Sequence, residues 1–387
     1  MRICSPHCGI DPETTSGGET YERELLKRID ESGHAVDVML ARHKRHPEGV
    51  PNLTVHRMPL GRGLRWPVAA VLLPPLIKRL HDTVGFDLLR AHSLRYIGPA
   101  ALIARRRYRL DVPIVAHHHH LDPSPLNAVI ERRVMLRAER VVVGSEFAVD
   151  QAARELGVPA ERFAIVYYGV DERFAPGPRP AALAARLGIG EAPVVLFLGG
   201  LKRRKNLFAL LDVWREVAAA RPDARLVVAG GGPLRAQLER YARDLGIAER
   251  IVFSGYIPEA DKVGYYRLAD VFLFPSTMEG FGLSVAEAMS TGVPVVASAR
   301  GSLPELVEDG EGGILCAPDD RGGLATAVLR LLGDMALRRR FGAANHARVD
   351  RLFRWDRCAA RTLAIYEDVL ETWRRRARNT AATVRTP

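Results

Sequence analysis

Short apolar runs alternate with amphipathic stretches along most of the chain. In the first half, "RICSPH" predicts a strand, "ETYERELLKRIDES" (residues 19–32) an amphipathic helix, and "HAVDVMLA" after Gly33 a second strand. Apolar residues three and four positions apart predict a helix that buries one face, whereas short β-branched runs predict buried strands. Together these three elements form a βαβ unit.

The alternation continues through two series of elements. The first adds the strands "FDLLRAH", "VPIVAHH" and "RVVVGS", with helices near residues 98–107 and 126–138. After the proline- and glycine-rich "DERFAPGPRP" come the strands "PVVLFLGG", "RLVVAGGG", "RIVFSGY", "DVFLFPS" and "VPVVAS", with helices at 206–220, 233–245 and 284–291. Strands that alternate with helices predict parallel sheets covered by helices.

The predicted fold class is therefore α/β, with two doubly wound, Rossmann-like domains. We place the first domain at residues 1–174 and the second at 175–355. A helix over residues 356–374 is expected to pack back towards the first domain, and the polar segment 375–387 is expected to be disordered. Ligands of such sheets bind outside the carboxyl ends of the strands, so a site in a cleft between the two domains is expected.

Composition narrows the class of protein. The chain has 387 residues, of which 47% are hydrophobic and 26% charged, which excludes wholesale disorder and a membrane-spanning chain. The apolar stretch "PVAAVLLPPLI" is too short to cross a bilayer. The N-terminus lacks the pattern of a secretion signal, and four cysteines do not make a disulfide framework, so we expect a cytoplasmic protein. Cys4 and Cys8 flank His7, but Cys4 fits a small apolar strand residue better than a metal ligand.

A net charge of +11 predicts an anionic partner, which leaves nucleic acid, a phosphate-bearing ligand or an anionic membrane surface. Arg105, Arg106, Arg107 and Arg109 cluster around Tyr108, as in a headgroup or nucleic-acid patch, although a solvated helix face is the commoner explanation of such a cluster. No zinc finger, recognition helix or aromatic RNA-binding motif is present, so nucleic acid is not expected as a partner. An anionic membrane, reached through "LLPPLIKRL" and this arginine cluster, stays an alternative partner.

The stretch "EGFGLSVAEAMSTG" carries the first candidate chemistry. Gly280 and Gly282 predict a turn after a buried strand, and a helix is expected to begin near Ser284. Unpaired N–H groups and a positive dipole at a helix N-terminus favour a phosphate. Glu279 precedes the turn, and Glu287 lies about one helical turn inside, where it is placed to accept hydrogen bonds from a ribose diol. Ser284 and Glu287 also fit a capping box, which would explain Glu287 without a ligand.

Two further glycine-bearing turns support a phosphate ligand. "LGGLKRRKNL" follows a strand and places Arg204 and Lys205 where they would neutralise a diphosphate. In "SGGETYEREL", Gly17 and Gly18 immediately precede a helix. Here Ser16 and Glu19 form a second possible capping box.

The run "VPIVAHHHHLDP" ends a predicted strand with four histidines. Strand alternation would place His117 and His119 on one face, and His118 and His120 on the other. The run has no second ligand group at metal-binding spacing, so one histidine facing the site is expected rather than a metal cluster.

These motifs, taken in order from residue 1 to about 372, resemble glycosyltransferase family 4, the retaining enzymes of GT-B architecture. The similar segments include Glu279 to Glu287 as an E-x7-E motif, "GGETYERELLKRIDESGHAVDVM", "YYGVDERFAP", "RRKN", "FSGYIP" and "RWDRCAARTLAIYEDVL". The resemblance implies transfer of a sugar from a UDP- or GDP-sugar to a hydroxyl acceptor, such as a glycan, a lipid-linked glycan or a small molecule, with retention at the anomeric carbon.

The resemblance also implies roles for individual residues. Glu279 would contact the transferred sugar, Lys205 and Arg204 would neutralise the leaving diphosphate, and His119 would lie near the sugar and the acceptor. The other implied donor-binding positions are Gly17, Gly18, Tyr256, Ile257, Gly280, Phe281, Gly282, Leu283 and Glu287.

The sequence departs from the family pattern at two places. Gly200 stands where many relatives carry arginine, so the role of that cation is assigned to Arg204. Tyr168 stands where asparagine often precedes "GVD". No D-x-D triplet occurs, so no metal or other cofactor is expected, and protein cations are expected to stabilise the leaving group. A nucleotide-sugar epimerase or a phosphorylase on two similar domains is the competing enzyme class; an epimerase would act without an acceptor.

Overall fold

The computed structural model of the chain describes residues 1–7, 9–13, 17–59, 68–119 and 124–383, with side chains described as far as residue 379. Cys8, Ser16 and His120, named above, lie outside the described residues. The backbone divides into two compact units: unit 1 comprises Met1–Tyr167 and the segment from Trp355 onward, and unit 2 comprises Tyr168–Arg354.

Unit 1 consists of a parallel sheet with helices in the connections. Its helices follow the predicted spacing: in the first of them, Tyr21, Leu25 and Ile29 are fully buried at intervals of four residues. The strands are β1 (Arg2–His7), β2 (Ala35–Ala41), β3 (Leu53–Met58), β4 (Leu88–Ala91), β5 (Ile114–His118), β6 (Arg140–Val143) and β7 (Phe163–Ile165). The helices are α1 (Gly17–Glu31), α2 (Ala69–Val84), α3 (Ile97–Tyr108), α4 (Pro125–Arg137) and α5 (Glu146–Leu156).

The seven strands of unit 1 have the order β3-β2-β1-β4-β5-β6-β7. Every neighbouring pair is parallel, and Ile3 in the middle of the sheet pairs with Val36 on one side and Leu88 on the other. The order reverses between β1 and β4, which is the topological switch point of a doubly wound sheet. The carboxyl ends of these two strands therefore mark where a ligand is expected in unit 1.

Unit 2 repeats this plan. Its strands are β8 (Val194–Leu198), β9 (Arg225–Ala229), β10 (Ile251–Gly255), β11 (Val271–Phe274), β12 (Val295–Ser298) and β13 (Gly313–Cys316). Its helices are α6 (Ala181–Arg186), α7 (Leu207–Ala220), α8 (Arg235–Asp244), α9 (Lys262–Leu268), α10 (Leu283–Ser290), α11 (Leu303–Leu306), α12 (Arg321–Gly333) and α13 (Met335–Leu352).

The six-stranded sheet of unit 2 has the order β10-β9-β8-β11-β12-β13 and is again parallel throughout. Its central strands β8 and β11 are almost entirely buried, as expected for strands covered by helices on both faces. The switch point lies between β8 and β11. The two sheets confirm the predicted fold class of two doubly wound α/β domains.

The last helix, α14 (Trp355–Thr383), is part of unit 1. Its first residue, Trp355, lies against the ring of Tyr21 with ring centroids 6.2 Å apart, and Asp356 approaches Arg28 of α1 at 3.7 Å. The helix continues as far as Thr383, whereas the sequence predicted a disordered segment from residue 375.

The boundary between the units differs from the expected position after residue 174. It falls between Tyr167 and Tyr168, because the following segment packs into unit 2. Phe174 is 2% exposed against the ring of Tyr266, and a parallel bridge joins Val170 to Arg354 at the end of the unit.

The described helices are each too short or too polar to cross a bilayer.

Candidate functional site

The residues singled out by the sequence lie in connections that follow the carboxyl ends of strands in the two sheets. In unit 2, the loop after β8 carries Arg204 and Lys205, and the loop after β11 carries Glu279. In unit 1, β1 leads to Gly17 at the start of α1, and β5 leads to His119.

Glu279 is the centre of a polar cluster in unit 2. Its Oε1 atom accepts hydrogen bonds from Lys205 Nζ (2.6 Å), Ser276 Oγ (2.7 Å) and an Arg204 Nη (3.0 Å). We call these four residues the unit 2 cluster. No hydrogen bond joins Glu279 Oε2 to another described residue, so the three donors meet at one oxygen and leave the other for a ligand.

Burial and neighbouring charges shift the pKa values of Glu279 and Lys205 in opposite directions. Burial alone would raise the pKa of Glu279, but the attraction of Lys205 and Arg204 outweighs burial, so the pKa is lowered and the carboxylate stays ionised. For Lys205 burial dominates and lowers the pKa, although Glu279 opposes this. The ammonium group also lies 4.4 Å from the ring centroid of Phe274, a cation–π contact. Two cations therefore face one carboxylate, and the cluster can accept further negative charge.

Backbone hydrogen bonds hold the two loops of the cluster together. Residues Arg203–Lys205 form one turn of 3-10 helix, and Asn206 follows in the left-handed conformation with φ 54°. The carbonyl of Arg204 accepts a hydrogen bond from Thr277 N (2.9 Å), and the hydroxyl oxygen of Ser276 lies 2.9 Å from the same carbonyl. This geometry places the two basic side chains before any ligand arrives, which reduces the cost of reorganisation.

The helix after Glu279 begins at Leu283, with Gly282 as its N-cap at φ 94° and ψ 49°. No side chain caps this helix, so the alternative that Ser284 and Glu287 form a capping box is wrong. Among the described residues, the N–H groups of Leu283 and Ser284 have no acceptor, as expected for the open first turn of a helix. The turn therefore presents backbone donors next to the unit 2 cluster.

Glu287 is buried instead of capping the helix. Its Oε2 accepts a hydrogen bond from Tyr266 Oη (2.7 Å), and Lys262 Nζ approaches Oε1 at 3.4 Å. Burial raises the pKa of Glu287, and Lys262 only partly opposes this shift. These two partners account for the burial of Glu287, and its role towards a ribose stays a prediction.

The remaining predicted positions of unit 2 have distinct environments. Phe281 is 3% exposed, and Tyr168 lies on it with ring centroids 4.9 Å apart, so the replacement of asparagine by Tyr168 supports the glycine turn by packing. Gly280 precedes Phe281 in the same turn. Tyr256 is 56% exposed after the end of β10, whereas Ile257 is buried at 6%.

Unit 1 contains a cavity of about 260 Å³ at the carboxyl edge of its sheet. Its lining includes Gly18, His92, Arg95, His119 and Glu131. A Cβ atom added at Gly17 or Gly18 would meet nothing within 4 Å, so the start of α1 is open. The structure thus brings Gly18 and His119 to one cavity.

A buried ion pair lies beneath this cavity. Glu22 is 2% exposed and Arg90 is fully buried. Arg90 donates from Nη2 to Glu22 Oε1 at 2.9 Å and from Nη1 to Oε2. His119 Nε2 is 3.1 Å from the same Oε1 atom. Burial alone would raise the pKa of Glu22, but Arg90 and His119 more than compensate and hold it well below its usual range.

The C-terminal helix completes this arrangement. Tyr366 of α14 is fully buried, and its Oη accepts a hydrogen bond from Arg90 Nε at 2.9 Å. Burial raises the pKa of Tyr366 to about 12, so the hydroxyl stays protonated. His117 Nε2 lies 2.7 Å from Tyr366 Oη, while its Nδ1 lies 3.2 Å from Arg90 Nη2. We call Glu22, Arg90, His117, His119 and Tyr366 the unit 1 network.

The side chains of His7, Glu22 and His92 offer ligand atoms within 4.8 Å of one another, so we tested them as a metal site. The two imidazole rings are stacked, with centroids 4.1 Å apart and an angle of 12° between their planes. Lone pairs in nearly parallel rings do not converge on one ion, and Arg90 already occupies both oxygens of Glu22. Burial lowers the pKa of His92 to about 4, so this stack is neutral. The cluster fits an ion pair with neutral histidines better than a bound cation.

Sequence reasoning missed Ser276, Lys262, Tyr266 and most of the unit 1 network. Two signals were nevertheless present. Glu22 lies three and four residues before Leu25 and Leu26, on the apolar stripe of α1, and Arg90 interrupts the buried strand β4. A charged residue at a buried position needs a partner, so each one predicted the other. Lys262 carried no comparable signal, because its contact with Glu287 depends on the packing of α9 against α10.

Comparison with known proteins identifies similar chains. The family "Glycosyltransferase Family 4" matches residues 15–174, and "Glycosyl transferases group 1" matches residues 182–348. A GDP-mannose-dependent alpha-(1-6)-phosphatidylinositol monomannoside mannosyltransferase of Mycolicibacterium smegmatis is 35% identical over 293 residues, which is 70% of this chain and 75% of that protein. A D-inositol 3-phosphate glycosyltransferase of Streptomyces bingchenggensis is 32% identical over 321 residues, 76% of this chain and 69% of that protein.

Solved structures show the same fold at lower identity. Sucrose-phosphate synthase (tll1590) from Thermosynechococcus elongatus matches 96% of this chain and all of that chain with a TM-score of 0.83 and 24% identity. Anabaena Alr3699/HepE in complex with UDP matches 95% of this chain and all of that chain with a TM-score of 0.78 and 22% identity. At these identities the likeness establishes the fold.

Proposed function

The chain belongs to glycosyltransferase family 4 and is a nucleotide-sugar-dependent glycosyltransferase of GT-B type, and we propose that it is a retaining hexosyltransferase that uses protein cations in place of a metal. The unit 2 cluster carries this proposal, because it presents Lys205 and Arg204 beside the open first turn of α10. These groups match the needs of a departing nucleoside diphosphate, on which negative charge develops as the bond to the sugar breaks.

The proposed roles in unit 2 follow from the contacts. Lys205, Arg204 and the N–H groups at the start of α10 receive the diphosphate. Glu279 Oε2 accepts a hydrogen bond from a hydroxyl of the transferred sugar, because its Oε1 is already used by three donors. In the reaction, an acceptor oxygen bonds to the anomeric carbon on the face from which the diphosphate leaves, and the hydroxyl proton departs to a base or to the phosphate.

GDP-mannose is the proposed donor and an inositol-containing molecule the proposed acceptor. The supporting observation is that the relatives named above act on phosphatidylinositol monomannoside or D-inositol 3-phosphate, and that one of them depends on GDP-mannose. UDP-sugars are the alternative donors, because the Anabaena structure of the same fold holds UDP.

A ligand panel followed by a transfer assay tests the function. We expect GDP to raise the unfolding midpoint more than UDP or ADP. A ligand at 100 times its Kd stabilises the fold by about 2.7 kcal/mol, which such a measurement detects. Incubation of GDP-mannose with phosphatidylinositol monomannoside or D-inositol 3-phosphate should then give a product with the anomeric configuration of the donor, unchanged by EDTA.

A different experimental result would contradict each part of the proposal. An inverted product would refute retention, and loss of turnover in EDTA with recovery on adding Mg²⁺ or Mn²⁺ would refute metal independence. Stabilisation by UDP alone would indicate a UDP-sugar, and not GDP-mannose, as the donor. Conversion of the nucleotide-sugar without any acceptor would favour the epimerase alternative.

We also propose an anionic membrane surface, on the cytoplasmic side, as a partner of unit 1. Helices α2, α3 and α4 follow the parallel strands β3, β4 and β5, so their N-termini lie at the carboxyl edge of the sheet, the edge that holds the unit 1 cavity. Near these ends, Val71 is 73%, Leu126 71% and Val129 67% exposed. Exposed apolar side chains at the edge of an acceptor cavity suit a lipid-linked acceptor.

Basic residues occupy the second half of the same helices. They are Arg79 on α2, Arg106 and Arg107 on α3, and Arg133 and Arg137 on α4, all exposed. Seven residues separate Leu126 from Arg133, about 10 Å along a helix. This spacing suits apolar side chains that enter the acyl boundary while the guanidinium groups reach the headgroups.

A further inference from the structure

Glu287 is a buried carboxylate that the stability of unit 2 does not explain. It is 2% exposed, and the other buried residues of α10 are apolar or small. Replacing a buried ion pair by apolar residues of similar volume is often neutral or stabilising, so stability alone does not account for Glu287 and Lys262. The two hydrogen-bond donors of the carboxylate, Tyr266 and Lys262, both come from α9. One neighbouring helix therefore holds this carboxylate in place.

The hydroxyl of Tyr266 serves the carboxylate of Glu287. Tyr266 is fully buried, and its ring lies against those of Phe174 and Phe272, with centroids 5.8 Å apart in each pair. A phenylalanine would fill the same aromatic space. The hydroxyl donates to Glu287 Oε2 at 2.7 Å and makes no hydrogen bond to any other described residue. What tyrosine adds at this position is therefore its hydrogen bond to the carboxylate.

Lys262 holds the second oxygen and is shared between two carboxylates. Its Nζ atom lies 3.4 Å from Glu287 Oε1 and 2.7 Å from Glu259 Oε2. Burial raises the pKa of Glu287, and the negative charge of Glu259 adds to the rise. Lys262 and the Tyr266 hydroxyl oppose it, because both favour the ionised form. Loss of the hydroxyl would therefore favour the protonated acid.

The carboxylate keeps unused acceptor positions on both oxygens. An ionised carboxylate offers about four such positions, two on each oxygen. Tyr266 uses one on Oε2 and Lys262 uses one on Oε1, and no further donor among the described residues reaches either atom. One position per oxygen remains. Two acceptors on neighbouring oxygens match a ribose diol, in which each of two neighbouring hydroxyls donates one hydrogen bond.

We propose that Tyr266 is a positioning residue for the donor: its hydroxyl holds Glu287 Oε2 so that the ionised carboxylate accepts hydrogen bonds from both hydroxyls of the ribose. Tyr266 itself does not touch the donor. The proposal rests on the proposed function, which assigns the diphosphate to the start of α10. Glu287 follows Leu283 by four residues, about 6 Å along the helix, so the ribose next to the diphosphate is within its reach.

A thermodynamic cycle tests this role by removing the ribose hydroxyls and the tyrosine hydroxyl separately and together. Calorimetric titration gives the affinities of GDP and 2′,3′-dideoxy-GDP for wild type and for Tyr266→Phe. In wild type, loss of two hydroxyls that donate to a carboxylate should weaken binding about 10- to 100-fold. In Tyr266→Phe, GDP affinity should fall about 10-fold, whereas the affinity for 2′,3′-dideoxy-GDP should change by less than about 2-fold.

Tyr265→Phe is the matched control. Tyr265 precedes Tyr266 on α9 and is 4% exposed, and its hydroxyl makes no hydrogen bond to a described residue. This variant should keep the wild-type ratio of the two affinities. In the transfer assay, Tyr266→Phe should raise KM for GDP-mannose about 10-fold and leave kcat within about 2-fold of wild type, because a ribose contact binds the ground state and the transition state alike.

Equal affinities of GDP and 2′,3′-dideoxy-GDP for wild type would overturn the proposal, and this comparison needs no variant to fold. A wild-type ratio of affinities in Tyr266→Phe, with both nucleotides weakened equally, would overturn it as well, while GDP binding would still support the proposed function. Stabilisation by UDP alone would refute only GDP-mannose as the donor, and the cycle then uses UDP and 2′,3′-dideoxy-UDP. Binding of neither GDP, UDP nor ADP would refute the proposed function, and this role with it.

Discussion

At the scale of single residues, Lys205 is the side chain on which the proposed transfer depends most directly. Lys205 is 6% exposed and is placed by the turn of residues Arg203–Lys205, and its ammonium group contacts Glu279 at 2.6 Å. A cation held in a buried, preorganised site stabilises developing charge far better than one in water, and removal of one such donor costs about 100- to 1,000-fold in kcat.

We therefore expect Lys205→Ala to lower kcat by about 100- to 1,000-fold in the GDP-mannose transfer assay. The fold should persist, because Arg204 and Ser276 still hold Glu279. Lys202→Ala is the matched control, since Lys202 is an exposed lysine in the same loop. Turnover of Lys205→Ala close to that of Lys202→Ala would remove the assigned role.

At the scale of elements, the start of α10 combines a left-handed glycine with open backbone donors. Gly282 has φ 94°, a region that costs other residues roughly 1–2 kcal/mol, and a Cβ there would approach Leu303 at 3.1 Å. The helix has no side-chain cap, so its first N–H groups depend on solvent or a ligand.

Gly282→Ala is expected to weaken GDP binding about 2- to 30-fold, the range that corresponds to roughly 0.3–2 kcal/mol of dipole and N–H interaction. Gly310→Ala is the control, because Gly310 has φ 79° and a Cβ there would meet nothing within 4 Å. It should lose similar stability through its backbone but keep GDP affinity. Calorimetric titration that gave equal affinities for the two variants would contradict a role for this turn.

The sequence predicts some of these strands and helices but not all of them. Buried parallel strands such as β8 and β11 are readable because they are continuous apolar runs, and the position of Lys205 follows from the strand that precedes it. Helix α2 was missed, because Pro74 and Pro75 lie inside it. The two prolines leave the carbonyl groups of Ala70 and Val71 without a helical donor. Val71 is 73% exposed, so water can donate hydrogen bonds to the carbonyl groups at that end of the helix.

Long-range contacts account for the rest of the site. The burial of Glu287 by Lys262 and Tyr266 depends on how α9 packs beside α10, and the local pattern S-x-x-E predicted a capping box instead. Likewise, nothing near Tyr366 indicates that it joins Arg90, which is 276 positions away in the chain. Local pattern predicts which elements form, whereas side-chain partners across elements follow from the fold.

At the scale of the whole molecule, the net charge of +11 is larger than the diphosphate site requires. The unit 2 cluster has two cations and one carboxylate, so it accounts for little of the excess. On α2, α3 and α4, Arg79, Arg106, Arg133 and Arg137 have no ion pair with another described residue. This excess of charge has a use if the acceptor is held in an anionic membrane, because attraction to such a surface is worth about 1 kcal/mol per basic residue near it.

We expect the protein to float with vesicles that contain a third of anionic phosphatidylinositol or phosphatidylglycerol, and to remain behind with neutral phosphatidylcholine vesicles. Binding should weaken between 0.05 and 0.5 M NaCl, conditions chosen because salt at roughly 0.1 M already limits surface attraction to about 10 Å.

Leu126→Ser with Val129→Ser should reduce binding at any salt concentration, whereas Arg133→Gln with Arg137→Gln should reduce it mainly at low salt. Arg240→Gln with Arg243→Gln on α8 of unit 2 is the control for charge alone. Equal loss from the α4 and α8 arginine pairs would mean that net charge, and not this surface, attracts the protein to the membrane.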